Sequence, residues 1–254
     1  MITIKNETGI EYMRDANRIV GELLYRIADL IKPGISTYEL DQFAEEFILS
    51  KGAYPAFKGY EADGLPPFPG SICASVNSCI VHGIPSKKVI LKEGDIIGID
   101  VGTFKNGYYG DAARTFAVGK ISKEAQRLMD VTKEALYRGM EAAKNGARVG
   151  DISYAIGSFV RQNGYYVADD LTGHGIGTEL HEDPMIPNDG FKGKGPRLRK
   201  GMTIAIEPMV NIGTNRVKTK GWEFYVKNGG LSAHFENTIL ICEDSYEILT
   251  TYQE

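Results

Sequence analysis

The chain has 254 residues, 43% of them hydrophobic and 24% charged, which is typical of a globular protein and excludes a disordered, collagenous or low-complexity one. Its longest apolar stretches, such as residues 96–101, are broken by Gly and Asp well short of the roughly 18 residues that a membrane span needs. The first residues lack a basic start followed by an apolar block, so we expect a cytoplasmic protein without a secretory signal. Three cysteines, none of them in a CxxC pair, predict reduced thiols.

Charge is unevenly distributed along the chain. The net charge of −4 argues against a general nucleic-acid-binding protein. Residues 191–222, however, contain eight lysines and arginines against one acid, Glu207. The simpler interpretation of such a run is a solvated basic loop.

Two helices are predicted in the first part of the chain. The first runs from Thr8 to Ile31, with Thr8 and Glu11 spaced as a capping box. A second capping box, formed by Ser36 and Glu39, opens the next helix. These two elements form a helix pair.

The same pattern occurs again later in the chain. A second helix pair is predicted over residues 122–144 and 151–163. A shift of 112 residues lays Phe47 on Phe159 and Tyr54 on Tyr166, and a shift of 107 lays residues 91–100 on 198–207. We therefore expect a single domain over residues 1–254, built from two related halves at about 5–120 and 121–254.

Strands follow each helix pair. Residues 95–103 and 108–118 are predicted as two strands joined at Asn106-Gly107, a residue pair typical of hairpin turns. In the second half we expect a matching hairpin from residues 202–212 and 238–242, around a Gly229-Gly230 turn. Helices separated from hairpin-linked strands predict an α+β fold in which helices cover one face of an antiparallel sheet.

Acidic residues interrupt these apolar strands. The hairpin places Asp100 and Asp111 on adjacent strands, where like charges repel each other. Either one carboxylate is protonated or a cation lies between them, unless both lie on an exposed edge hairpin. The repeat lays Asp100 on Glu207, and Glu236 precedes its strand as Asp111 does. Two halves related by a pseudo-twofold axis would bring all four together, and such a cluster needs cations.

The histidines agree with a metal site. His82, His174 and His181 lie in or near glycine-rich segments, and the glycines beside His174 would let a metal approach closely. A lone histidine of this kind is more often a packed or exposed residue, but the four carboxylates favour a ligand. One imidazole with several carboxylates favours two divalent ions such as Mn, Fe, Co or Zn and excludes a thiolate zinc site. From the residues alone, a two-metal phosphatase or nuclease also remains open.

The ordered set Asp100, Asp111, His174, Glu207 and Glu236 resembles the pita-bread metallopeptidases, and specifically the short bacterial form of the type I methionine aminopeptidases. The segments that carry the resemblance are Val81-His82-Gly83-Ile84-Pro85, Gly110-Asp111-Ala112-Ala113-Arg114, Gly173-His174-Gly175-Ile176-Gly177, Ala205-Ile206-Glu207-Pro208 and Phe235-Glu236-Asn237-Thr238. The resemblance covers nearly the whole chain. It implies a pita-bread fold in which two helix pairs cover the antiparallel sheet.

The resemblance also implies a role for each ligand. Asp111 and Glu236 would span two divalent ions (Co, Mn, Fe or Zn), Asp100 would chelate one, and His174 and Glu207 would complete the other. Glu207 would also move the proton during catalysis.

Further residues would contact the substrate. His181 would stabilise the oxyanion, and His82 would contact the amide nitrogen after methionine. Tyr60, Cys73 and Trp222 would form the methionine pocket, for which simple core packing is the alternative. A loop matching Asn77, Cys79 and Ser232 would hold one monovalent cation.

The resemblance implies removal of the N-terminal methionine from nascent proteins and peptides when the second residue is small. A proline-specific aminopeptidase or dipeptidase of the same fold, and a non-catalytic relative that binds partners, are the alternatives. We expect a monomer that binds no membrane. The basic stretch 191–222 would dock on ribosomal RNA, where nascent chains emerge.

Overall fold

Within the described residues, four long helices form two consecutive pairs, and strands follow each pair. The structure, a computed structural model, describes residues 2–252. The predicted domain over residues 1–254 therefore includes Met1, Gln253 and Glu254, which lie outside the described residues. The helices are α1 (Glu7–Ile27), α2 (Thr37–Ser50), α3 (Lys123–Ala142) and α4 (Val149–Gln162), and a 3-10 turn (Ala28–Leu30) follows α1. Within residues 2–252, no helix combines the length and the apolar character needed to cross a membrane.

Fifteen strands lie within the described residues, and all their pairings there are antiparallel. They are β1 (Tyr54–Pro55), β2 (Ile72–Val76), β3 (Cys79–Val81), β4 (Ile96–Lys105), β5 (Tyr108–Ala117), β6 (Tyr166–Val167), β7 (Thr172–Gly175), β8 (Glu182–Pro187), β9 (Thr203–Ile206), β10 (Met209–Asn211), β11 (Val217–Lys220), β12 (Glu223–Val226), β13 (Ser232–His234), β14 (Asn237–Ile241) and β15 (Tyr246–Ile248). In one sheet, β4 pairs with β5 along one edge and with β1 and β2 along the other edge. The five-stranded sheet has the order β15-β14-β9-β7-β8. The predicted α+β fold is confirmed.

Side-chain caps determine where the first two helices begin. The Ser36 capping box is confirmed, because Ser36 N–H donates to Glu39 Oε2 (2.9 Å) and Glu39 N–H donates to Ser36 Oγ (3.2 Å). The predicted box at Thr8 is wrong. Asn6 caps α1 instead, accepting from Gly9 N–H at 2.8 Å, so that Thr8 already lies inside the helix.

The β4–β5 hairpin places the first two carboxyl groups. Asn106 (φ 53°) and Gly107 (φ 82°) both adopt positive φ, as the two central residues of a tight hairpin turn require. The resulting register pairs Asp111 with Gly102, two residues beyond Asp100. Since side chains two residues apart on a strand lie on the same face, Asp100 and Asp111 are diagonal neighbours on one face of the sheet.

The second half does not form the single hairpin predicted around Gly229-Gly230. Pro208 interrupts the first strand of that prediction, because its nitrogen carries no hydrogen for a ladder bond. As a result β9 pairs with β14, whereas β10 pairs with β13. A separate hairpin, β11–β12, occupies part of the predicted connection and pairs with β3.

Strand pairings confirm the internal repeat. In the first half Tyr54 pairs with Phe104, and in the second half Tyr166 pairs with Asn211. The first members of these two pairs are separated by 112 residues and the second members by 107. These are the two offsets that align the halves, so the repeated segments occupy equivalent places in the fold.

Each half has its own apolar core beneath its helix pair. The cluster under α1 and α2 includes Leu23, Leu40 and Ile99, and the cluster under α3 and α4 includes Leu136 and Ile156. Burial of these large side chains contributes most of the stabilisation, at roughly 25 cal/mol per Å² of apolar surface removed from water. The helices are thereby held on the sheet.

The two halves are joined by hydrogen bonds between β5 and residues 234–238, which we call the seam. Thr238 Oγ1 donates to the Asp111 carbonyl at 2.8 Å. Thr115 Oγ1 donates to the His234 carbonyl (2.8 Å) and accepts from His234 N–H (2.9 Å). The seam therefore holds β5 of the first half beside Glu236 of the second.

We predict that Ser36→Ala lowers the free energy of unfolding by about 1 kcal/mol, since the Glu39 N–H loses the hydroxyl that accepts from it. Denaturant unfolding of the metal-free protein measures the change. Ser50→Ala, a matched substitution at the exposed end of α2, should change stability by less than about 0.5 kcal/mol. Equal losses in the two variants would show that the capping box does not stabilise the helix.

Candidate metal centre

One cavity of about 720 Å³ opens between the two halves. All ten residues predicted from the sequence to bind the divalent ions or the substrate line it: Tyr60, Cys73, His82, Asp100, Asp111, His174, His181, Glu207, Trp222 and Glu236. They come from separate parts of the chain. The fold thus brings these ten residues to the same place.

Four carboxyl groups meet at this cavity. Asp100 and Asp111 come from the β4–β5 hairpin. Glu207 directly follows β9 and Glu236 directly precedes β14, next to the pair Ile206–Asn237. Each half therefore contributes two acids from adjacent strands, as the repeat predicts.

Several carboxylate oxygens of this cluster are buried without compensation. Asp100 Oδ1, Asp111 Oδ1 and Glu236 Oε1 have no hydrogen-bond partner among residues 2–252. Glu236 is 2% exposed and Asp111 4%. A buried carboxylate requires a counter-charge or a donor. An oxygen-rich set of this kind fits divalent cations.

The pKa values of the four carboxyl groups also indicate a site that binds cations. Burial raises the pKa of Asp100 to about 7 and that of Glu207 to about 8. The pKa values of Asp111 and Glu236 are raised well above their usual range, chiefly by burial and next by a neighbouring carboxylate. Without metal the cluster therefore retains protons near neutral pH, and cations would displace them on binding.

His174 presents a lone pair to the carboxylates. Its Nδ1 lies 2.9 Å from the Gly175 carbonyl, which can only accept, so Nδ1 carries the proton. Burial lowers the pKa of His174 to about 3, and the ring is neutral. Nε2 is then free to bind metal, at 3.5 Å from Glu207 Oε1 and 3.7 Å from Asp111 Oδ2.

A fourth histidine, His234, also belongs to the cluster. Its Nε2 lies 3.5 Å from Glu207 Oε2 and 3.7 Å from Glu236 Oε2. The sequence prediction selected histidines with nearby glycines and therefore did not include His234. The available signal was its position two residues before Glu236, which in an extended chain places both side chains on one face.

The potential ligand atoms form two overlapping groups. Those of Asp111, His174 and Glu236 lie within 4.8 Å of one another, and so do those of Glu207, His234 and Glu236. Each group contains one imidazole, and Glu236 is common to both. The arrangement can hold two cations that share a carboxylate.

His181 and Tyr60 lie together at the mouth of the cavity. The Tyr60 hydroxyl is 3.0 Å from His181 Nδ1. The His181 ring also meets the His174 ring edge-on, with 4.5 Å between centroids. Burial lowers the pKa of His181, so its neutral form prevails at neutral pH.

His82 is held in an unusual backbone conformation. Its φ of 58° lies in the left-handed region, which non-glycine residues seldom adopt. The next residue, Gly83, has no room for a side chain, because an added Cβ would lie 2.3 Å from the Ala74 carbonyl. Strain of this kind clusters at functional sites. His82 Nδ1 is buried and has no hydrogen-bond partner within the described chain.

An apolar pocket adjoins the carboxylates. Cys73 pairs in register with Asp100 and is 4% exposed. Burial raises the pKa of its thiol far above the usual value, so it remains a neutral thiol. Trp222 Nε1 donates to the Pro66 carbonyl at 2.8 Å, and its ring meets that of Phe68 edge-on at 5.5 Å. The proline-rich loop is thereby fixed against the pocket.

The residues predicted to hold a monovalent cation lie at the junction of β2 with β13. Ser232 N–H donates to the Asn77 carbonyl at 2.9 Å. Asn77 has a φ of 53° and its side chain bonds Asp95. Cys79 is buried at the start of β3, and its Sγ lies 3.6 Å from the Val81 carbonyl.

Comparison with known proteins gives a consistent result. The model of metallopeptidase family M24 matches residues 11–243. The chain is 52% identical to the methionine aminopeptidase of Clostridium acetobutylicum over 98% of this chain and 99% of that protein. It is 50% identical to methionine aminopeptidase 1 of Bacillus subtilis, with the same coverage. The crystal structure of the methionine aminopeptidase of Thermotoga maritima superposes with a TM-score of 0.96 at 43% identity, covering 99% of this chain and all of that one.

These similarities span both halves, the cavity and every carboxylate of the cluster. The chain therefore belongs to metallopeptidase family M24 and, within it, to the type I methionine aminopeptidases.

Proposed function

We propose that the protein removes the N-terminal methionine from peptides and nascent proteins whose second residue is small, using two divalent metal ions. The observation that carries the proposal is the buried cluster of four carboxyl groups at the base of the 720 Å³ cavity, with unpartnered oxygens on three of them. The family relationship supports the same activity.

In this proposal Asp100, Asp111, His174, Glu207 and Glu236 hold the ions. Asp111 and Glu236 would span both ions, and the presence of Glu236 in both groups of ligand atoms supports its role. Bound divalent ions would lower the pKa of water and neutralise charge developing on the scissile carbonyl. The mixture of carboxylates and imidazole favours Mn, Fe, Co or Zn.

The remaining lining residues would bind the substrate. The methionine side chain would enter the pocket of Tyr60, Cys73 and Trp222, where aromatic rings attract a polarizable thioether. The free amine would lie near Asp100, next to that pocket. This position of the amine would restrict cleavage to the N-terminal bond.

Tyr60 would determine which ring nitrogen of His181 carries the proton. When the Tyr60 hydroxyl donates to Nδ1, the neutral imidazole carries its proton on Nε2. Nε2–H can then donate to an oxyanion at the mouth of the cavity. Glu207, a carboxylate beside the proposed ions, would accept a proton and return it during the reaction.

The setting of this reaction is also part of the proposal. Nascent chains are made in the cytoplasm, where we place the enzyme as a monomer. Asn77, Cys79 and Ser232 would provide backbone carbonyls for a structural monovalent cation. The eight basic side chains of residues 191–222 are all exposed, and we propose that they contact ribosomal RNA.

We predict that Asp111→Asn and Glu236→Gln each abolish activity and the binding of the second metal ion, because a neutral amide does not bridge two divalent ions. Metal analysis and peptide hydrolysis measure the two effects. Glu179→Gln, the same change at the exposed rim of the cavity, should keep two metals. Near-normal turnover in either first variant would refute the dinuclear centre.

We predict that His181→Ala lowers kcat by about 10²–10³, the usual loss for one oxyanion donor. The metal content should not change, because His181 is not a ligand. Steady-state kinetics and metal analysis of the same sample distinguish the possibilities. Loss of metal together with activity would make His181 a ligand and contradict its assigned role.

We predict that Met-Ala peptides are cleaved at least about fivefold faster, in kcat/KM, than Met-Ile peptides, because a branched side chain near His82 clashes at a cost of about 1–3 kcal/mol. Ala-Pro peptides serve as the control for a proline-specific relative and should not be cleaved. Preferential hydrolysis of Ala-Pro would replace the proposed function with that of a proline-specific peptidase.

We predict that the protein co-sediments with ribosomes at low salt and that this binding weakens steeply as salt is added. Changing Lys218 and Lys220 to Glu should reduce it further. Lys123 and Lys133, exposed on α3, provide a control pair whose change to Glu should have little effect. Equal ribosome binding by both double variants would refute the proposed contact of residues 191–222 with ribosomal RNA.

A further inference from the structure

His234 is a buried imidazole whose reactive nitrogen lacks a partner. The residue is 3% exposed. Its Nε2 has no hydrogen-bond partner among residues 2–252 and points into the carboxylate cluster. A buried polar atom without a partner is costly unless something else binds it. No role in the proposed function accounts for this nitrogen.

The backbone that carries His234 is firmly held. His234 pairs with Met209 at the end of β13, and both its N–H and its carbonyl bond the Thr115 hydroxyl across the seam. The ring is therefore positioned by strand pairing on one side and by the seam on the other.

The distances fit metal ligands better than hydrogen bonds. Nε2 lies 3.5 Å from Glu207 Oε2 and 3.7 Å from Glu236 Oε2, beyond the roughly 3.2 Å limit of ordinary N–H···O bonds. Ligand atoms about 2.1 Å from one tetrahedral ion stand about 3.4 Å apart. His174 Nε2 shows the same spacing, 3.5 and 3.7 Å, to its own two carboxylates.

The two histidines lie toward different members of the cluster. His174 approaches Asp111 and Glu207. His234 approaches Glu207 and Glu236. The group of Glu207, His234 and Glu236 shares only Glu236 with the group of Asp111, His174 and Glu236. Without His234, the first group would offer only oxygen ligands.

We infer that His234 is a direct nitrogen ligand of the metal ion that Glu207 and Glu236 would hold beside it, so that each of the two ions has one imidazole. This inference rests on the dinuclear centre of the proposed function. A nitrogen donor at both positions favours borderline ions such as Co²⁺ and Zn²⁺ over hard ions such as Mg²⁺. Both positions should therefore bind Co²⁺ tightly.

Calorimetric titration with Co²⁺ tests the inference on the metal-free protein. The wild type should bind two ions. His234→Gln should bind one ion with unchanged affinity and the other at least about tenfold more weakly, since even groups that only support a ligand change metal affinity 10–100-fold. Unchanged affinities for both ions would overturn the inference.

His82→Gln is the matched control. His82 is another histidine of the cavity with an unpartnered nitrogen within the described chain, but its ring contacts are Phe224 and Trp222. Its substitution should leave both Co²⁺ affinities unchanged. A similar loss in His82→Gln and His234→Gln would make the effect a general disturbance of the cavity and would count against His234 as a ligand.

A second measurement needs no variant and therefore does not depend on its folding. The wild type loaded with ¹¹³Cd²⁺ should give two cadmium resonances, each correlated with the ring protons of one histidine. Two resonances of which only one shows imidazole protons would refute His234 as a ligand and leave the dinuclear centre intact. A single bound cadmium, together with a single Co²⁺ equivalent, would instead refute the dinuclear centre itself.

Discussion

The repulsion among four buried carboxylates is the constraint on which the rest of the structure depends. The seam forces them together, since Glu236 N–H donates to the Ala113 carbonyl at 2.9 Å while Thr238 bonds the Asp111 carbonyl. Arg114 strengthens this contact by donating to the Glu236 carbonyl and to Asn237 Oδ1. The apolar cores and strand ladders supply the free energy that holds like charges in place, and cations relieve the repulsion.

The duplicated architecture explains why the acids meet in pairs. Each half supplies two adjacent strands with one acid on each, and each half buries its own apolar core beneath two helices. Joining the halves places the acids at their common boundary. A site formed in this way is positioned by strands or their immediate ends rather than by long loops, and a site on such elements is more precisely held.

Substrate recognition is built differently from the metal centre. Tyr60 lies on an irregular segment and Trp222 in the turn between β11 and β12, and both reach the cavity from outside the strand framework. His82, whose backbone is strained, links the substrate pocket to the strand framework. Its ring lies edge-on to Trp222 at one end of the cavity, and its backbone directly follows β3. Specificity can therefore change without altering the carboxylates.

Local patterns in the sequence determined much of this protein. The Ser36 capping box, the Asn106-Gly107 turn and the acids placed within apolar strands are short-range signals. The offsets of 112 and 107 residues predicted the internal repeat, which appears in the equivalent strand pairings of the two halves. The five proposed ligands were identified in the same way. Each of these features depends on residues close together in the chain or on a comparison of the chain with itself.

Tertiary structure decided the remaining features. Asn6 rather than Thr8 caps α1, and Pro208 divides what the pattern predicts as one strand. The sequence marks His234 only by its position two residues before Glu236. Its ring faces Glu207 and Glu236 only because strand pairing and the Thr115 hydroxyl orient the backbone across the seam. The environment of a side chain depends on residues distant in sequence, and only the folded chain brings them together.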